Sequence, residues 1–212
     1  MSASPTSQLS DVTRTVSPAR PGNAVVLSQI FPVPAAELWA ALTTADRLAR
    51  WFGRASGELA EGGRYELPDM ETTGTVTALE DARRLQLTWE SAGSRSVMEL
   101  LLEPAEETGA TRLTLRHEVP ADAHWAAFGP AATGCGWDAA LYGLALHLED
   151  PSADVLAQLG PFAISPEGAE FTRATADAWC TAHVASGADR KPARKASVRT
   201  AAFYLGEEPD LS

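Results

Sequence analysis

Side chains able to do chemistry are few in this 212-residue chain, and their spacing excludes more than it supports. Four histidines (117, 124, 147 and 183) and two cysteines, Cys135 and Cys180, show neither Cys-x-x-Cys nor His-x-x-x-His spacing, so no metal site and no cofactor is expected. There is no Gly-x-Ser-x-Gly elbow, phosphate-binding glycine loop or dinucleotide fingerprint. Cys135 lies between two glycines at the start of a helical pattern, where a helix terminus would activate a thiol. It has no base partner in the sequence pattern and reads as a passive small residue.

His117 is the polar residue with the best placement. Alternation through residues 111–119 puts Leu113, Leu115, His117 and Val119 on one strand face. An imidazole there could orient a ligand carbonyl or exchange protons near neutral pH, with Tyr65 as a second group. The commoner arrangement is a histidine satisfied by a partner near the strand end. Asp138, one residue beyond Trp137, lies about 100° around a helix from it and suits a helix N-terminus. Glu90 and Glu99 fall on solvent-facing positions and are poor candidates for catalytic carboxylates.

The elements that must position these residues are legible from periodicity. Trp137, Leu141, Leu144 and Leu148 step by four, three and four, which is one face of a long helix. Residues 24–32 read as a strand, 35–43 and 45–52 as short helices, and 64–67, 74–79, 84–90, 96–103 and 111–119 as further strands. Their short connections require antiparallel neighbours. His124 to Pro130 reads as a loop whose Trp125 and Phe128 either cap a cavity mouth or pin the loop to the body. Residues 1–23, rich in Ser, Thr and Pro, read as a disordered leader. Residues 151–212 read as a helical extension packed on the domain formed by 24–150, with Leu101 one surface it could cover.

A formal net charge of −11 argues against nucleic-acid or anionic-membrane partners, which need clustered cations. No stretch reaches the roughly 18 apolar residues of a membrane span, and the first ten residues lack a signal-peptide pattern. A cytoplasmic location with reduced thiols is expected.

Together the segments Pro34-Ala-Ala-Glu-Leu-Trp-Ala-Ala-Leu-Thr43, Leu48-Ala-Arg-Trp-Phe-Gly53, Gly62-Gly-Arg-Tyr-Glu66, Leu85 to Glu90, Thr111-Arg-Leu-Thr-Leu-Arg-His117 and Gly136-Trp-Asp-Ala-Ala-Leu-Tyr-Gly-Leu-Ala-Leu-His-Leu148 resemble the START-like superfamily known as SRPBCC. Within it they are similar to the C-terminal domain of the Hsp90 ATPase activator. The resemblance covers residues 24–149. It implies an α+β helix-grip fold, an antiparallel sheet wrapped around a long C-terminal helix with a cavity between them. The extension beyond residue 150 departs from the minimal pattern; a similar tail accompanies some bacterial members.

In such a fold wide side chains, or a ligand, must fill the space between sheet and helix. Phe52, Tyr65, Trp89, Met98, Leu100, Leu115, His117, Trp137, Leu141 and Leu144 are the expected ligand-binding residues, with Leu113 beside them; large apolar residues are also what ordinary cores contain. The function expected is binding of a small apolar or aromatic ligand by a carrier or sensor. A cyclase/aromatase-like enzyme using His117 and Tyr65 is one alternative. The other is a chaperone partner contacted through an acidic sheet face, and a homodimer is also open.

Overall fold

The computed structural model describes residues 3–19 and 22–211. At its centre is α5 (Ala131–Glu149), with Trp137, Leu141 and Leu144 buried together. The opposite side of α5 is buried as well, at Gly134, Cys135, Asp138 and Tyr142, so the helix has no broad polar stripe.

Facing it is one antiparallel sheet made of β1 (Thr13–Ala19), β2 (Gly22–Phe31), β3 (Ser56–Gly57), β4 (Arg64–Leu67), β5 (Thr72–Glu80), β6 (Arg84–Ser91), β7 (Ser94–Pro104) and β8 (Thr111–Val119). The spatial order is β1-β2-β8-β7-β6-β5-β4-β3. Register aligns inward side chains into rows across the strands: Leu27, Leu115, Leu100 and Leu85 in one, Val25, His117, Met98 and Leu87 in the next. Every second residue points to the same face, so alternation in each strand becomes a continuous apolar wall once the strands pair. Two short helices, α2 (Ala35–Thr43) and α3 (Ala45–Trp51), lead from β2 to β3, and α3 packs on α5. Thr44 stands between them in an extended conformation without the capping bond its residue type suggests.

The first described residues are not an unstructured leader. Ser4 caps α1 (Pro5–Asp11) in a reciprocal capping box with Ser7, and β1 then pairs along β2. Gln8 and Gln29 exchange amide hydrogen bonds of 3.0 and 3.1 Å in the interior. Arg14 grips Asp138 of α5 with a 2.7 Å ion pair in which the carboxylate is completely buried. Polar composition concealed this segment, because its apolar residues are few and the buried partners Asp138 and α7 lie far along the chain.

Beyond residue 150 come α6 (Val155–Ala163), α7 (Pro166–Ala185) and α8 (Arg190–Leu205). They cover the side of α5 turned away from the sheet and reach β1, not the outer sheet face on which Leu101 sits beside Thr114. Trp179 of α7 is fully buried and donates its indole N–H to Asp138 at 2.8 Å. A Cβ on Gly134 would meet that indole at 2.1 Å, so α7 seats only because this turn of α5 has no side chain. The segment read as a loop before α5 contains α4 (Ala123–Phe128), capped by Asp122.

Candidate ligand-binding site

A cavity of about 170 Å³ lies between the sheet, α3 and α5. Of the ten expected site residues it is lined by Phe52, Tyr65, Trp89, Met98, Leu100, Leu115, Trp137 and Leu141, with Leu113 beside them. Three rules place most of them: strand alternation for Met98, Leu100 and Leu115, one helical turn for Trp137 and Leu141, and the end of α3 for Phe52. Phe52 and Trp137 stack with ring centroids 6.1 Å apart and planes within 8°. Leu144 is not on this wall; it is fully buried in the core one turn further along α5.

The lining also includes residues that the sequence reading did not single out. Val76, Leu85 and Leu87 carry the alternation signal that would have found them. Leu42 and Leu48 belong to the short helices, and Ala55 and Leu59 to a connection without periodicity, where no pattern marks an inward side chain. The cavity opens at this connection, since Ser56, Gly57, Glu58 and Leu59 are exposed. Arg54 ties it down by donating its backbone N–H (2.7 Å) and guanidinium (2.6 Å) to Asp69.

Polar atoms in the interior of the cavity wall are already engaged. Tyr65 donates its hydroxyl to the Thr88 carbonyl at 2.7 Å, and burial pushes the phenol pKa upward. Trp51 donates its indole N–H to the Ala41 carbonyl, and Thr43 its hydroxyl to that of Trp39. The one carboxylate on the lining, Glu58, is at the exposed mouth.

His117 faces away from this cavity, into a second cleft of about 500 Å³ that it shares with Trp89. Trp137 donates its indole N–H to Nδ1 of His117 at 3.0 Å, so the ring proton is on Nε2, 2.8 Å from Oγ of Ser96. Trp89, His117 and Trp137 pack mutually at 5.4–5.8 Å and form the partition between the two spaces. Burial lowers the His117 pKa to about 4. A neutral histidine with both nitrogens engaged is a structural element of the partition, and the Tyr65–His117 proton-transfer pair expected from sequence is not assembled.

Trp125 packs edge-on to His183 of α7, and Phe128 to Phe203 of α8, while Thr200 donates to the Phe128 carbonyl at 2.8 Å. Of the two roles open to them, they pin α4 to the helical tail. Burial pushes the Cys135 thiol up to about 12, which makes it inert. Among the described residues no group of three His, Cys, Asp or Glu is arranged for a metal, and no helix is long and apolar enough to cross a membrane. The outer sheet face is not the acidic surface expected: Arg64 pairs with Glu90, Arg84 with Glu99 and Arg116 with Glu118.

Comparison with solved structures finds the fold in CalU16 from Micromonospora echinospora, whose crystal structure has a TM-score of 0.65 and 26% identity, over 81% of this chain and 97% of that one. DynU16, described as a protein in the dynemicin biosynthetic locus, is 26% identical with a TM-score of 0.54, over 62% of this chain and 49% of that one. A protein of unknown function from Enterococcus faecalis shares the fold at 19% identity and a TM-score of 0.61, over 87% of this chain and 96% of that one. None of the curated proteins compared matches the sequence. The family model described as "Activator of Hsp90 ATPase homolog 1-like protein" matches residues 32–149, from the end of β2 to the end of α5. The match spans more than half of the chain and takes in the strands and helices that enclose the cavity, and the protein therefore belongs to the Activator of Hsp90 ATPase homolog 1-like family.

Proposed function

We propose that this protein binds a small apolar aromatic molecule in the cavity between α5 and the sheet. The observation that carries the reading is a cavity, open at residues 56–59, walled by aliphatic and aromatic side chains, whose inner polar atoms on Tyr65 and Trp51 are already hydrogen-bonded. Its size narrows the ligand. About 170 Å³ is below the range of roughly 300–1,000 Å³ typical of drug-sized ligands and close to the ~150 Å³ of an engineered apolar void that takes up benzene. One or two fused rings fit without rearrangement.

Binding is favoured over catalysis because proton transfer needs a titratable group aimed at the ligand. Tyr65 is committed to a backbone carbonyl and His117 lies behind the partition. Paired charges on the outer sheet face weaken the chaperone-partner reading that the family's description brings with it. Two free cysteines support a reducing, cytoplasmic setting.

Titration with naphthalene, followed by tryptophan fluorescence, tests the reading. Leu141→Phe places extra volume in the cavity and is expected to abolish the saturable response while the urea unfolding midpoint stays close to that of the parent protein. A folded Leu141→Phe protein that still takes up naphthalene with parental affinity would remove this cavity as the site.

A further inference from the structure

The cleft behind the partition has a chemistry of its own. It is bounded by Ser91 and Ser96 at the β6–β7 hairpin, His117 of β8, Trp125 of α4 and Thr133 in the first turn of α5, with Trp89 as the shared wall. Two indoles, Trp89 and Trp125, are among its walls. Around them the hydroxyls of Ser91 and Thr133 make no hydrogen bond to protein among the described residues. The Ser96 hydroxyl accepts from Nε2 of His117 and spends its own hydrogen on the Trp89 carbonyl at 3.3 Å, a long bond that a better acceptor would displace. Because Trp137 occupies Nδ1, His117 cannot turn round and accept from Ser96; the serine hydrogen is directed away from the ring.

Charge selects the occupant further. No Lys or Arg lines the cleft; His124 at its rim packs on Phe128, and the one carboxylate, Asp122, accepts from the Trp125 backbone N–H as the cap of α4. An anion would find no lysine or arginine to balance it there. We propose that this cleft is a second small-molecule site, specific for a neutral hydroxylated ring, which lies against the Trp89 and Trp125 indoles and exchanges hydrogen bonds with Ser96 and Thr133. It is separate from the apolar cavity and does not require that cavity to be filled.

The full chain labelled with ¹⁵N at its six tryptophan indoles distinguishes the two spaces, since Trp51 lines the apolar cavity alone and Trp125 the second cleft alone. Resorcinol, neutral at pH 7, is expected to shift the Trp125 and Trp89 resonances saturably and leave Trp51 in place; naphthalene is expected to shift Trp51 and leave Trp125. Ser96→Ala and Thr133→Val should each weaken resorcinol about five-fold, the loss of one hydrogen bond, without altering the naphthalene response. Should Ser96→Ala disturb folding through His117, Thr133→Val at the partly exposed start of α5 carries the test. A resorcinol shift confined to Trp51, no saturable Trp125 shift, or parental affinity in the folded variants would overturn the second site. Failure of naphthalene alone would instead sink the proposed function and leave the cleft standing.

Discussion

His117 illustrates how a side chain with catalytic potential becomes structural. The ring nitrogens are used by Trp137 and Ser96, and burial lowers the pKa to about 4, against the ordinary value near 6.5. An unfolded chain takes up this proton as pH falls through about 6.5, whereas the folded protein resists until about 4. The fold therefore loses stability between those values and the loss levels off below them, by about 3 kcal/mol for a shift of this size. His117→Gln retains an acceptor for Trp137 and a donor for Ser96 but cannot be protonated. Urea unfolding at a series of pH values should show a shallower decline for it than for the parent protein from pH 6.5 to 4; parallel declines would mean that His117 is not held neutral. His147 and His183, also lowered by burial, titrate in both proteins and cancel in the comparison.

At the scale of elements, the seat of α7 on α5 depends on an absent side chain. Gly134→Ala would ordinarily strengthen a helix interior by about 1 kcal/mol. Here the new methyl would meet the Trp179 indole at 2.1 Å, and Trp179 cannot retreat without breaking its hydrogen bond to the buried Asp138 carboxylate. Overpacking of a rigid interior costs about 1–3 kcal/mol, so the clash outweighs the propensity. Gly134→Ala should lower the urea midpoint and raise the accessibility of Trp179 to quenchers. A midpoint at or above the parental one would show that α7 rides loosely on α5. Asp138 joins three elements at this point, receiving Arg14 from β1 and Trp179 from α7 while itself belonging to α5. Removing either donor leaves a buried carboxylate short of partners, which is why such a junction couples the two ends of the chain.

For the whole molecule, α1 and the helical tail complete the core on the side of α5 opposite the sheet, while β1 extends the sheet's edge. Cys135, Tyr142 and Asp138 of α5 are buried by Thr175, by Phe162 and Phe171, and by Trp179, all beyond residue 150. A chain ended at Asp150 would expose that face of α5. It is expected to lose its cooperative thermal transition and to bind a hydrophobic dye, whereas the full chain melts in one step by both fluorescence and circular dichroism. Cooperative melting of the truncated chain at the parental midpoint would make the tail an independent appendage.

Local pattern was enough to mark most strands and helices, because alternation and helical spacing are written within a few residues of each other: Leu113 and Leu115 of β8, or Trp137 and Leu141 of α5, announce an inward face unaided. The same signals point Trp89, Met98, Leu100, Leu115, Trp137 and Leu141 toward the space they line. What pattern alone left open was decided by contacts between distant segments. Inwardness did not say which space a side chain reaches, and Trp137 turned out to hold His117 on the far side of a partition, with Leu144 beyond the cavity. Polar composition hid α1 and β1, whose order comes from pairing with β2 and from Gln29, Asp138 and α7. The tertiary structure settles such matters because register, burial and pairing arise only when strands remote in sequence are brought side by side.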